Sequence, residues 1–234
     1  MTKPLQGAVA LVTGASRGIG ASTAVELARL GAHLVITART QGGLEETDDA
    51  IRAAGGTATL LPLDLKEGEK LDVLGASIYQ RFGRLDVLVH NAASLGKLTP
   101  VGHIAADDWQ EVVAVNLGSA WRLIRGCDRL LRLAPAGRAV FVTDAVATMP
   151  VAYFGALGAT KAGMENLVLT WAAETRTSAL RVNLFDPGIV ASRMRSAAFP
   201  GENPASVPGP ETVAGALAAL CLPTETRHGE RVAA

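Results

Sequence analysis

The sequence predicts an α/β fold, a doubly wound parallel sheet in a single domain over residues 1–234. Three observations carry that expectation. Short β-branched runs alternate with helical patterns from one end of the chain to the other. The runs are almost wholly apolar, as strands covered by helices on both faces are. A chain of 234 residues, 49% hydrophobic and 19% charged, has enough apolar side chain for one sizeable core.

Strands are expected at 8–13, 33–38, 58–63, 85–90, 138–143 and 181–186. After the first, Ile19, Thr23, Leu27 and Leu30 recur at helical spacing and Gly31 supplies a left-handed stop. Leu44 and Ile51 sit a heptad apart before Gly55-Gly56, and Leu71, Leu74, Ile78 and Phe82 repeat the scheme before Gly83. A longer helix is expected over about 106–133, with Trp109, Val112, Asn116, Ala120, Leu123, Cys127 and Leu130 on one face, and another over 155–174. The Pro/Gly-rich stretch 197–210 interrupts the pattern, and reads equally as a flap over a site or as a connector to the last helix.

Charge and cysteines narrow the function class. Lys plus Arg equals Asp plus Glu at 22 each, so no net field recommends nucleic acid or an anionic membrane, and a small-molecule partner is expected. Cys127 and Cys221 share no metal-type spacing and read as free thiols in a reducing cytosol; no metal site is expected. The N-terminal apolar run is too short for a signal peptide. The longest uncharged run, 145–160, contains Pro150, Gly155 and Gly158 and falls short of a bilayer span. A cytoplasmic protein is the expectation.

Directly after the first strand, "TGASRGIG" places Gly14, Gly18 and Gly20 in a turn that opens a helix. Glycines let a backbone turn tightly against a pyrophosphate, whose charge then meets amide N–H groups and the positive helix end. Together with "LDL" at 63–65, "HNAA" at 90–93, Asn116, "GATK" ending in Lys161, and "DPGIVAS" at 186–192, the loop resembles the short-chain dehydrogenase/reductase family. That resemblance implies a Rossmann-type fold. It also implies a nicotinamide dinucleotide held by Gly14, Ser16, Arg17, Gly18, Ile19 and Gly20, by Asp64 and Leu65 at the adenine, and by Asn91, Ala92 and Ala93. Lys161 would hold the nicotinamide ribose, and Pro187, Gly188, Ile189 and Ser192 the nicotinamide. His90 and Ala93 depart from the family's NNAG.

In the family an acidic residue ending the second strand selects NAD, whereas basic residues there accept the extra phosphate of NADP. This chain offers Arg39, with Arg17 in the glycine loop, and no carboxylate. Guanidinium forks suit a phosphate monoester, so NADP(H) is preferred over NAD(H); solvated surface arginines are the plainer alternative.

The family's carbonyl and alcohol chemistry uses Asn, Ser, Tyr and Lys. Asn116 reads as the family's relay anchor, as a structural hydrogen-bond bracket, or as both. The serine position falls on Asp144, with Thr143 one residue earlier on the opposite strand face. The tyrosine position is Leu157, which shares a helix face with Lys161 and carries no proton. The nearby phenol is Tyr153; a helix beginning near Pro150 would set it one turn before Leu157. The implied function is an NADP(H)-binding oxidoreductase for carbonyls or alcohols, of unknown substrate, with impaired or rearranged proton transfer. The alternative is an inactive pseudoenzyme serving as a nucleotide-binding or subunit-partner module. The resemblance further implies a homodimer or homotetramer through the helices at 104–133 and 155–174, where Trp171, Ala159, Ala162 and Gly163 would permit close packing.

Overall fold

The computed structural model describes residues 3–234, so residues 1 and 2 of the expected domain lie outside the described residues. Among the described residues, seven strands run parallel: β1 (Val9–Thr13), β2 (His33–Ala38), β3 (Thr57–Pro62), β4 (Val87–His90), β5 (Arg138–Val142), β6 (Arg181–Asp186) and β7 (Arg231–Ala233). They form one sheet in the order β3-β2-β1-β4-β5-β6-β7. The helices are α1 (Gly18–Arg29), α2 (Gln41–Ala53), α3 (Gly68–Asp72), α4 (Leu74–Phe82), α5 (Ala106–Val113), α6 (Ser119–Leu133), α7 (Gly155–Glu174), α8 (Arg193–Ala198) and α9 (Glu211–Ala219).

Alternate residues of a strand face opposite ways, so each strand feeds two cores. Ala10 and Val12 of β1 pack with α1, α2 and α9, through Leu27, Leu44 and Leu217. Val9 and Leu11 pack on the other face with α4, α6 and α7, through Ile78, Leu123 and Val168. This two-sided burial is why the strands read as unbroken apolar runs. The chain winds outward from β1 to β3, then returns to β4 on the other side of β1. Such a reversal opens a crevice at the carboxyl ends of β1 and β4.

Four departures from the sequence expectation have local causes. The helix anticipated before Gly83 is two pieces, α3 and α4, divided at Val73. The long helix is interrupted by a π-turn at Ala114–Gly118, between α5 and α6. The buried stripe therefore runs through Val112, Asn116, Ala120, Leu123 and Cys127 to Leu131, while Leu130 is half-buried and Trp109 is 42% exposed. β4 starts at Val87, two residues later than expected; Asp86 before it already bonds through its backbone to Val9 and Arg138, while its carboxylate accepts the Val9 N–H (2.9 Å) and pairs with Arg84. The seventh strand, three residues at the sheet edge, has no apolar run to announce it.

Trp171, expected at a subunit interface, is 4% exposed within the core, and its indole N–H donates to Asp128 at 2.8 Å. Ala159 and Ala162 stay on the exposed face of α7. Among the described residues no helix is long and apolar enough to cross a membrane.

Candidate active site

A cleft of about 990 Å³ lies over the carboxyl ends of the strands. Its first wall is the turn after β1. Gly14 adopts φ 66, and a Cβ there would lie 2.8 Å from the Ala92 Cα. A Cβ on Gly20 would sit 2.5 Å from the Asn91 side-chain nitrogen and against the Gly14 carbonyl. The turn thus packs directly on residues 91 and 92, and only glycine allows that approach. Asn91 locks it by donating from Nδ2 to the carbonyls of Thr13 and Gly14, both at 3.2 Å.

Thr13 is the hub beneath. Its Oγ1 accepts the N–H groups of Asn91 (3.1 Å) and Ala92 (3.2 Å), so its own proton goes to His90 Nδ1 at 2.9 Å. His90 Nε2–H then donates to the Ser119 hydroxyl (3.2 Å), which donates to the Val115 carbonyl in the π-turn. Burial, helped by the Lys161 charge, pushes the His90 imidazole down to about 3, and the neutral ring bridges β1, β4 and the π-turn.

The residues present fit a dinucleotide. Ser16, Arg17, Gly18 and Ile19 line the cleft at the start of α1, which has no side-chain cap, so its amide N–H groups are free for an anion. Thr37, at the end of β2, points a buried hydroxyl with no partner beside the same cleft. Arg39, Thr40, Asp64 and Leu65 continue the wall. Among the described residues neither Arg17 nor Arg39 pairs with a carboxylate.

The opposite end gathers Val142, Thr143, Asp144, Phe154, Leu157 and Lys161. Lys161 is 4% exposed, and its Nζ donates to the Val142 carbonyl at 2.6 Å. Burial pulls its ammonium down to about 8, against an opposing pull from Asp144 and Glu165. Leu157, one turn earlier on α7, is 2% exposed and forms apolar cleft wall. Asp144 accepts the Val146 N–H (3.0 Å) and so caps the short helical turn 145–147. Thr143 gives its hydroxyl to Glu165, which lies 3.7 Å from Arg231. Arg231 in turn donates to the Asp144 carbonyl (3.1 Å) and to Asp186 (2.9 Å), tying β7 to the ends of β5 and β6.

Pro187, Gly188 and Ser192 line the cleft beyond β6, and α8 overhangs it. Phe199, just past α8, stacks on Phe154 with ring centroids 6.0 Å apart, and Arg195 lies over the Phe199 ring at 4.8 Å while pairing with Glu202.

A model of the short chain dehydrogenase family matches residues 8–203. The chain belongs to the short-chain dehydrogenase family. A 3-oxoacyl-(acyl-carrier-protein) reductase of Pseudomonas aeruginosa is 35% identical over 190 residues, covering 81% of this chain and 76% of that protein. A short chain dehydrogenase structure from Salmonella enterica serovar Typhi superposes with a TM-score of 0.94 at 29% identity, covering 100% of this chain and 98% of that one. A metagenomic short-chain oxidoreductase in complex with NADP superposes with a TM-score of 0.84 at 31% identity, covering 98% and 97%.

Within this short-chain dehydrogenase the cleft brings together the expected Gly14, Ser16, Arg17, Gly18, Ile19, Arg39, Asp64, Leu65, Asn91, Ala92, Ala93, Asp144, Lys161, Pro187, Gly188 and Ser192. Four expected residues are off that lining, the first being Gly20, which packs behind the turn against the Gly14 carbonyl and Asn91. Asn116 is fully buried behind the wall, where Oδ1 accepts the Ser94 N–H (2.7 Å) and Nδ2 donates to the Ser94 carbonyl (2.9 Å) and to Thr160 (3.0 Å). Tyr153 is 59% exposed at φ 72 and off the cleft lining, because α7 begins at Gly155 and not near Pro150. Ile189 is 61% exposed and also off the lining. Sequence reasoning missed Arg231, which lies on the unanticipated strand, and Glu165, whose i+4 spacing from Lys161 was a usable signal. It also missed Ser94, Arg195 and Phe199, whose parts depend on tertiary contacts alone.

Proposed function

We propose that this short-chain dehydrogenase binds NADP(H) in preference to NAD(H) and acts on a carbonyl or alcohol with impaired proton transfer. The bound nucleotide supplies or accepts hydride at its nicotinamide. The observation that carries the reading is the pair of unpartnered guanidinium groups, Arg17 and Arg39, on the cleft wall beside the uncapped start of α1. Planar forks without a carboxylate partner suit a phosphate monoester better than two free hydroxyls. The glycine turn and the α1 N–H groups bind the pyrophosphate, and Lys161 orients the ribose. Phe154, Leu157 and Phe199 exclude water from an apolar substrate pocket, with 197–210 as a flap held by the Phe154–Phe199 stack.

At the reaction end, Leu157 stands where the family's tyrosine would, and Asp144 where its serine would. Leucine can neither donate nor accept a proton, and a missing general acid lowers rates by about two to four orders of magnitude. The burial of Leu157 as packed wall favours a second reading, a nucleotide-binding module without turnover. In either case the exposed faces of 104–133 and 155–174, with Trp121 and Leu169 uncovered, are the surfaces for a homo-oligomer.

A panel of aliphatic and aromatic carbonyls, followed by NADPH consumption, separates the two readings. Slow turnover that Leu157→Tyr with Asp144→Ser accelerates supports the oxidoreductase; none in the wild type, with NADPH bound, supports the module. Failure to bind either nucleotide sinks both.

A further inference from the structure

We propose that Lys161 is a covalent capture point for aldehydes and ketones, its amine adding to the carbonyl carbon to form an imine. This goes beyond the hydride chemistry above and needs no nucleotide. Lys161 lines the cleft, and the Val142 carbonyl is its one hydrogen-bond partner among the described residues. That bond uses one N–H of the amine. The lone pair and the second N–H are left for the cleft. Leu157, one turn before on the same helix face, sets hydrocarbon and no hydroxyl beside the amine. Burial also favours the neutral, nucleophilic form, against the pull of Asp144 and Glu165.

The step balances with the residues at hand. The nitrogen lone pair forms the C–N bond and one of the two amine protons moves to the carbonyl oxygen, giving a carbinolamine that keeps the other proton on nitrogen. Asp144, on the same cleft with one carboxylate oxygen engaged by Val146, accepts the proton lost from nitrogen and passes it to the departing hydroxyl. Water leaves and the C=N bond forms. No electrons are exchanged, and hydrolysis reverses every bond.

The chain offers a clean internal control, because its other lysines, Lys3, Lys66, Lys70 and Lys97, are all exposed. The test treats the full-length wild-type protein with butanal and sodium cyanoborohydride near neutral pH, which reduces the imine to a stable butyl amine, and maps the label by peptide mass spectrometry. An amine titrating near 8 is on the order of a hundredfold more deprotonated at neutral pH than an ordinary lysine. Lys161 is therefore expected to label at least tenfold faster than the exposed four, with the preference shrinking as the pH is raised through about 10. Asp144→Asn should slow labelling at Lys161 and leave the other sites unchanged. Equal labelling at all five lysines, or an unlabelled Lys161, overturns the proposal without recourse to a variant.

Added NADPH separates this proposal from the one above. Capture that NADPH slows agrees with both. Capture that NADPH leaves untouched upholds the amine and counts against nucleotide binding at Lys161, whereas NADPH binding without capture defeats the amine alone.

Discussion

The two ends of the cleft are built differently. At the glycine turn the wall is backbone: Gly14 and Gly20 admit residues 91 and 92 to contact, and Thr13, Asn91 and His90 are tied together by hydrogen bonds. At the far end the wall is a set of single side chains, Asp144, Leu157 and Lys161, each presented by a different turn or strand end. A backbone cradle tolerates change around it, because several residues enforce the same geometry. A single side chain has no such redundancy, and at 157 the cleft wall is a leucine, which carries no proton. On the proposed reading, the nucleotide frame and the proton-transfer chemistry are separable in this chain.

The largest expected effect tests that separation directly. If the frame is intact, Leu157→Tyr with Asp144→Ser raises the carbonyl-reduction rate by about 10²–10⁴-fold, measured with saturating NADPH. No gain would mean that the frame itself is misplaced.

Next in size is Asn116→Ala. The resemblance assigns Asn116 to the chemistry, yet its amide is spent on Ser94 and Thr160. Truncation strands those groups in the core, and we expect a loss of about 3 kcal/mol in denaturant unfolding. A loss of activity with stability unchanged would move Asn116 to the other side of the comparison.

Arg39→Ala sharpens the nucleotide end. Removing one charge-assisted fork should weaken NADPH about tenfold or more by fluorescence titration and leave NADH within about twofold. Equal weakening of both nucleotides would show that Arg39 does not read the phosphate.

The smallest effect is a pH slope. His90 is held neutral in the fold, down to about 3, while an unfolded imidazole takes its proton near 6.5. The folded pKa is depressed, so the stability it contributes is present above about 6.5 and is lost as the pH falls toward about 3, by up to roughly 1.4 kcal/mol per pH unit. His90→Asn should flatten that part of the curve in pH-dependent thermal melts. An unchanged slope would assign acid sensitivity to other groups.

The same division explains what was legible in the sequence. β2 and β6 begin and end at the residues expected from the sequence, and α7 spans the stretch anticipated from its pattern. Two-sided burial leaves a continuous signal, and the glycine spacing announces the turn because no other residue fits there. The π-turn at Asn116 was not legible, since widening a helix by one residue leaves no mark in composition. Nor was β7, whose place is decided by Arg231 reaching Asp186 and the Asp144 carbonyl across 45 and 87 residues. Tyr153 misled for a local reason: Pro150 is a favourable helix start, but the chain turns through a left-handed Tyr153 before α7 begins. Leu157 was legible as a position without a proton; its burial as packed cleft wall was not.

Whether this chain holds its nucleotide with a leucine at 157 is decided by one titration. Wild-type protein is titrated with NADPH and, separately, NADH, following nucleotide fluorescence. We expect saturable NADPH binding at least tenfold tighter than NADH, the margin a charge-assisted phosphate contact supplies. Binding of neither nucleotide at millimolar concentration, or a preference for NADH, would contradict it.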